Sequence, residues 1–301
     1  MNYKISLLAA VILLLSLIAF RYFSNPKIEL NGKLLIPMRI SNDKQAGMYS
    51  INLCNGDIQE LYINKEYDEI KFPNITEEGY LFVGKIKNQD IYEIMEKNSY
   101  GVKKLYRDNK EIYYPTRIDD RYLLFIMKQN DNYGLYKYDI SNKKIILLYK
   151  NADKDSRPVI RDKTILFTAK YDNNYEIIIQ DDGVAKNVVK GRYPNWFIGK
   201  NQIIYYDQGK IHLYDLASNS DKTLKNNIIL RETPILSPDK KYLAVIESDE
   251  VGLFSGATAD FISIVEIKSG RKKHLAEYLK SKNIYSNNHS KVILDGLFWI
   301  K

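Results

Sequence analysis

The sequence predicts an all-β protein, a six-bladed β-propeller of four-stranded antiparallel blades, preceded by one N-terminal transmembrane or signal-anchor helix. Three observations carry this. Six of the eight prolines, Pro26, Pro73, Pro115, Pro158, Pro194 and Pro234, recur at intervals of 36 to 47 residues. A period of roughly 40 residues that carries four short strands is the sequence mark of a propeller blade. After each proline comes a turn and then a β-branched or aromatic run, at residues 32–36, 79–83, 121–125, 163–167, 201–205 and 241–245. Each run is followed by an alternating strand and then by a residue pair suited to a tight turn, such as Asn55-Gly56, Asp182-Gly183 or Ser269-Gly270.

In chain order, the first element is residues 1–25, a membrane anchor or signal segment, and residues 26–301 form the propeller domain. Ile5 to Phe20 is uncharged and, apart from Ser6 and Ser16, apolar, between Lys4 and Arg21. Its helix would rise about 24 Å, short of a hydrocarbon core of roughly 30 Å. Tyr3, Tyr22 and Phe23 extend it with the aromatics of an interfacial belt. A cleaved signal peptide is the competing reading, but Leu17 with Ala19, or Tyr22 with Ser24, sets a bulky residue where cleavage wants a small one. An uncleaved, single-pass anchor in the cytoplasmic membrane is expected. Positive charges on both flanks do not favour export. The very short N-terminal tail does, so the propeller is placed on the exported, periplasmic or extracellular, side.

The prolines are expected in the connections between blades, where a missing N–H costs no ladder bond. Fourth strands close the units, with Tyr62, Tyr106, Tyr149 and Tyr278 at their ends. The 25 tyrosines read as flat packing between blades, each with a hydroxyl that can reach water. Residues 292–300 form one apolar strand more than the sixth blade needs. That strand is expected to close the ring as the inner strand of the first blade, the rival for the slot being Pro26 to Leu30.

Chemistry is harder to find. The net charge of +8 is spread over loops, its densest cluster being Arg271-Lys272-Lys273, and no module for nucleic acid is visible. His212, His274 and His289 lie on different units without metal-ligand spacing. There is no nucleophile elbow, phosphate loop or zinc-protease helix. Carboxylate pairs such as Asp119-Asp120 and Asp181-Asp182 fall in turns, where Asp bonds the backbone. The stretch from Asn151 to Ser156, with Asp162 beyond it, resembles the start of a calcium loop but lacks its glycine. No catalytic residue, metal site or cofactor is therefore assigned. One cysteine, Cys54, excludes an intramolecular disulfide.

One irregularity points to a binding element. The connection between second and third strands in the last unit, Ser248 to Asp260, is about twice as long as its counterparts and carries Val251-Gly252-Leu253-Phe254 at its tip. Exposed apolar loop tips on rigid scaffolds are binding elements, so Val251, Leu253 and Phe254 are the candidate partner-binding residues.

The run Leu236-Ser237-Pro238-Asp239-Lys240-Lys241 resembles the Ser-Pro-Asp-Gly-Lys repeat of TolB-type propellers, and Pro194-Asn195-Trp196 resembles the element before it. The likeness spans residues 27 to 300, with Lys240 in place of the family glycine and Ser-Pro-Asp kept in one unit. It implies a six-bladed binding platform. TolB itself has an additional α/β domain for which this chain leaves no room, so TolB's own envelope partners do not transfer. Related propellers gate peptidases, but the hydrolase domain is not seen here. The expected function is a non-enzymatic, membrane-anchored module that binds a protein or peptide in the cell envelope, with no nucleic acid. The alternative is a glycan hydrolase or lyase using carboxylates around the central channel. Charge gathered at one channel mouth favours the enzyme; an apolar or neutral mouth favours binding.

Overall fold

A computed structural model describes residues 30–40, 45–197, 201–225, 228–251, 257–275 and 296–300. The anchor at 5–20, Pro26, Tyr278, His289, and Leu253 and Phe254 lie outside them. Residues from Gly32 onward form one compact unit.

That unit is six four-stranded antiparallel sheets. The first contains β1 (Lys33–Ile40), β2 (Gln45–Asn52) and β3 (Ile58–Asn64). The second is β4 (Tyr67–Ile75), β5 (Gly79–Ile86), β6 (Tyr92–Asn98) and β7 (Gly101–Asp108). The third is β8 (Ile112–Arg117), β9 (Tyr122–Gln129), β10 (Asn132–Asp139) and β11 (Lys144–Lys150). The fourth is β12 (Val159–Arg161), β13 (Thr164–Tyr171), β14 (Asn174–Asp181) and β15 (Val184–Lys190). The fifth is β16 (Arg192–Trp196), β17 (Gln202–Asp207), β18 (Lys210–Asp215) and β19 (Ser220–Lys225). The sixth is β20 (Ile235–Leu236), β21 (Tyr242–Val251), β22 (Ala257–Glu266) and β23 (Lys272–His274).

The last strand, β24 (Phe298–Ile300), returns to the first blade and pairs with β1 through Lys33↔Ile300, Leu34↔Trp299 and Leu35↔Phe298. The ring therefore closes as the leftover apolar strand predicts. Closure is tight at Gly32, whose φ is +91°: a Cβ there would stand 2.2 Å from the Ile300 carbonyl oxygen. Only glycine fits both the left-handed backbone and that approach.

Between blades the expected tyrosines do the packing. Tyr62, Tyr106 and Tyr149, from three fourth strands, lie 5.1, 5.1 and 5.0 Å in ring centroid from Phe82, Phe125 and Phe167 of the next blade. All three phenylalanines are fully buried, and each such burial stabilises by about 1.5–3 kcal/mol. The core is thus a series of inter-blade layers, one centred on Phe125 and Tyr138, another on Leu124 and Phe167. Both faces of each sheet are covered, while the fourth strands show their polar faces to water.

The first strands meet around a central channel, and here the prolines require a correction. Pro73, Pro115 and Pro194 lie inside β4, β8 and β16, at register shifts between Lys71 and Asn74, Tyr113 and Thr116, and Arg192 and Asn195. A bulge leaves residues unpaired, so proline removes no ladder bond there. The residues before them, Phe72, Tyr114 and Tyr193, have φ of 55°, 48° and 57°. That unfavourable backbone is held in place because it buries all three rings.

The sixth blade requires a second correction. Residues 248–260 do not form a long loop: β21 and β22 stay in register through Ser248↔Asp260, Asp249↔Ala259, Glu250↔Thr258 and Val251↔Ala257. The β-branched and small residues of this stretch continue the ladder, leaving 252–256 as the connection.

Candidate functional site: the channel mouth

Where the aromatic-proline step fails, the channel gains charge. In the fourth and sixth blades the residue before proline is Arg157 or Thr233, both almost fully buried. The Arg157 backbone N–H donates to Thr233 Oγ1 at 2.9 Å. Its Nη2 crosses the channel to the carbonyls of Pro73, 3.2 Å, and Leu297, 3.0 Å. Glu232 supplies the opposing charge. Its carboxylate accepts from the Gly296 N–H at 2.9 Å and from the Tyr114 hydroxyl at 3.4 Å. Burial pulls the Arg157 guanidinium below its ordinary pKa, with Glu232 and Tyr114 opposing the shift. One arginine thus ties the fourth blade to the second and to the segment that closes the first.

Above this staple the channel opens into a cavity of about 710 Å³. It is lined by the ends of the first strands and the turns after them, including Arg117, Arg157, Arg161, Lys163, Trp196 and Lys240, with Asp162 as the lining carboxylate. Arg117 is held by Glu96 in a two-pronged pair at 2.9 and 2.7 Å. Arg161 lies 5.0 Å from the centre of the Trp196 ring. Burial lowers the Arg161 pKa, and Asp162 works against that. Around the rim Asn74 and Asn195 each donate to a carbonyl of the next blade, Pro115 at 3.1 Å and Pro234 at 3.0 Å, fixing the bulged backbones.

The mouth does gather charge, mostly positive. Glycoside hydrolysis by the usual route needs two carboxyl groups flanking the bond. Among the described lining residues there is one, Asp162. Asp119 is committed to the backbone N–H groups of Arg121 and Tyr122. The calcium-like stretch is committed as well: Asp153 and Asp155 face Arg192 at 3.0 and 3.4 Å. Burial raises the Asp153 pKa and Arg192 opposes it, an arrangement that suits a guanidinium, not a metal ion. His212 bonds Asp221 at 2.9 Å and stacks on Tyr205, while His274 bonds Ser263 at 2.9 Å. Arg271 and Lys272 of the basic cluster pair with Glu266 and Glu247.

The Ser-Pro-Asp turn forms part of the rim. Ser237 Oγ donates to Asp239 at 2.6 Å and accepts the Tyr242 N–H at 3.0 Å, while Asp239 accepts from the Lys241 N–H at 3.1 Å. Lys240 takes a φ of 58°, the left-handed position at which a glycine is unstrained. A solved TolB from Acinetobacter baumannii matches with a TM-score of 0.67 and 14% identity, covering 93% of this chain and 69% of that one. In fold, this chain is TolB-like. A chain of a nidogen/laminin complex matches at TM-score 0.59 and 10% identity, covering 89% of this chain and 98% of that one. Hydrazine synthase from Kuenenia stuttgartiensis matches at 0.61 and 11%, covering 88% and 47%. No protein-family model matches the chain, and no curated protein matches it in sequence. At these identities the TolB-like resemblance is one of fold.

Of the sequence-predicted site residues, Val251 ends β21 at the opposite end of that strand from the β20–β21 turn that lines the cavity, and Leu253 and Phe254 lie outside the described residues. The channel residues Arg157, Arg161 and Trp196 were not singled out as a site. A signal existed: Arg157-Pro158 breaks a series that reads Phe72-Pro73, Tyr114-Pro115 and Tyr193-Pro194.

Proposed function

We propose that the chain is a non-enzymatic binding module of the cell envelope that takes a protein or peptide partner at the channel mouth. Residues 5–20 tether it to the cytoplasmic membrane, with the propeller on the exported side. The observation that carries this reading is the cavity itself: it falls within the roughly 300–1,000 Å³ of ligand pockets, is rimmed by polar groups, and has one lining carboxylate. A structure of the same fold was solved as a nidogen/laminin complex, which supports a protein partner. The rival location is the β21–β22 tip with Val251, Leu253 and Phe254.

A photoreactive amino acid placed in cells at Lys240, Phe254 or Lys103 tests the reading, Lys103 being an exposed residue of β7. The expected result is one discrete protein adduct from Lys240 and none from Lys103. An adduct from Phe254 without one from Lys240 moves the site to the hairpin. Equal capture at Lys103 removes the claim of a specific site.

A further inference from the structure

We propose that the channel mouth is an oxyanion site, shaped for the carboxylates of an acidic peptide segment. It rests on the reading that a peptide partner enters here. A positive lining and one pre-oriented guanidinium carry it. Arg157 Nη1, Arg161 Nη1 and Trp196 Nε1 are all buried, all belong to residues that line the cavity, and none has a hydrogen-bond partner. Arg157 and Trp196 are 2% and 5% exposed. Folded proteins keep few such donors unsatisfied. Beneath the wall of one cavity, they leave the mouth rich in donors and short of acceptors.

The charge points the same way. Arg157 is opposed by Glu232 and Arg117 is held by Glu96. Arg161, Lys163 and Lys240 then face the cavity with Asp162 as the lining acid. The excess is positive, and it lies where burial weakens screening. Arg161 is also oriented in advance, its guanidinium lying against the Trp196 face. A planar fork so held matches the two oxygens of a carboxylate. A cation in this place would meet donors and like charge.

Phosphate offers the same acceptor chemistry, and the test separates the two sources. Full chain in detergent is titrated calorimetrically with pentaglutamate, inorganic phosphate and pentalysine. Pentaglutamate is expected to bind saturably, to weaken with salt, and to lose at least about tenfold in affinity in Arg161→Gln, a change of about 1.4 kcal/mol. Trp196→Phe, which narrows the aromatic face on which Arg161 is held, is expected to weaken binding by a smaller factor. Lys103→Gln is expected to bind as the parent does. No saturable binding of either anion, or an Arg161→Gln variant that melts like the parent and binds equally well, overturns the site. Phosphate binding without pentaglutamate binding overturns the peptide occupant. Arg161-dependent pentaglutamate binding in a chain that forms no adduct at Lys240 in cells upholds the site and overturns the partner reading instead.

Discussion

Removing residues 296–301 will open the ring, and the truncated chain will be recovered as aggregate or will melt far below the parent. The strand lost is short, but three separate structures depend on it. β24 covers the inner edge of β1 through three residue pairs, and without it Leu34 and Leu35, both fully buried, lie beside an unpaired edge. Exposed strand edges pair with other chains. Trp299, 4% exposed, leaves the first blade, and Leu297, 1% exposed, leaves the channel. The Leu297 carbonyl and Gly296 N–H that engage Arg157 and Glu232 disappear as well. Trp299→Ala keeps the backbone and isolates the packing component, for which large-to-small core changes cost about 3–5 kcal/mol. Solubility and thermal melting of the two variants beside the parent check this. A truncated chain with an unchanged melt means that β24 does not close the ring.

Arg157→Met is expected to cost about 3–5 kcal/mol, since two buried carbonyls lose their donor at about 1–3 kcal/mol each and Glu232 loses an opposing charge. At roughly 2–4 °C per kcal/mol for a unit of this size, the melting temperature should fall by about 10 °C. Methionine fills similar space, so the loss comes from polar groups: the Pro73 and Leu297 carbonyls lose their donor, and Glu232 loses a cation that offsets its charge. The coupling is testable by a second change. Glu232→Gln retains an acceptor for the Gly296 N–H and removes the negative charge that Arg157 opposes, so the double variant should recover part of the loss. Strict additivity of the two, or a cost for Arg157→Met below about 1 kcal/mol, shows that no staple spans the channel.

The blades were legible because each repeats one local grammar. A turn, a run such as Leu123-Leu124-Phe125, an alternating strand and a second turn recur with little change, and local patterning decides them. The tyrosines of the fourth strands were legible for the same reason, since Tyr62, Tyr106 and Tyr149 hold one position in successive units. Closure followed from an apolar strand left without a blade. Other features depend on residues far apart in sequence. That Pro115 sits in a bulge within β8 and not between blades is decided by the burial of Tyr114 against its neighbours. The hairpin at 248–260 looked like a loop because acidic residues at 247, 249 and 250 hid a register that cross-strand pairing with residues 257–261 sets. The channel site draws on Arg157, Arg161, Trp196 and Lys240 from three blades, and its staple adds Pro73, Leu297 and Glu232. Spacing within one unit cannot bring such residues together; the break in the aromatic-proline series at Arg157 was the trace it left.

The central claim is that the channel mouth, not the outer rim of the blades, is where a partner docks. Amide hydrogen exchange on the full chain, free and bound to the partner captured in cells, measures this directly. The account requires slower exchange at Arg161–Lys163 and at Ser237–Lys240 on binding, with β3, β7 and β15 unchanged. Protection confined to those outer strands, or to the β21–β22 end, contradicts it.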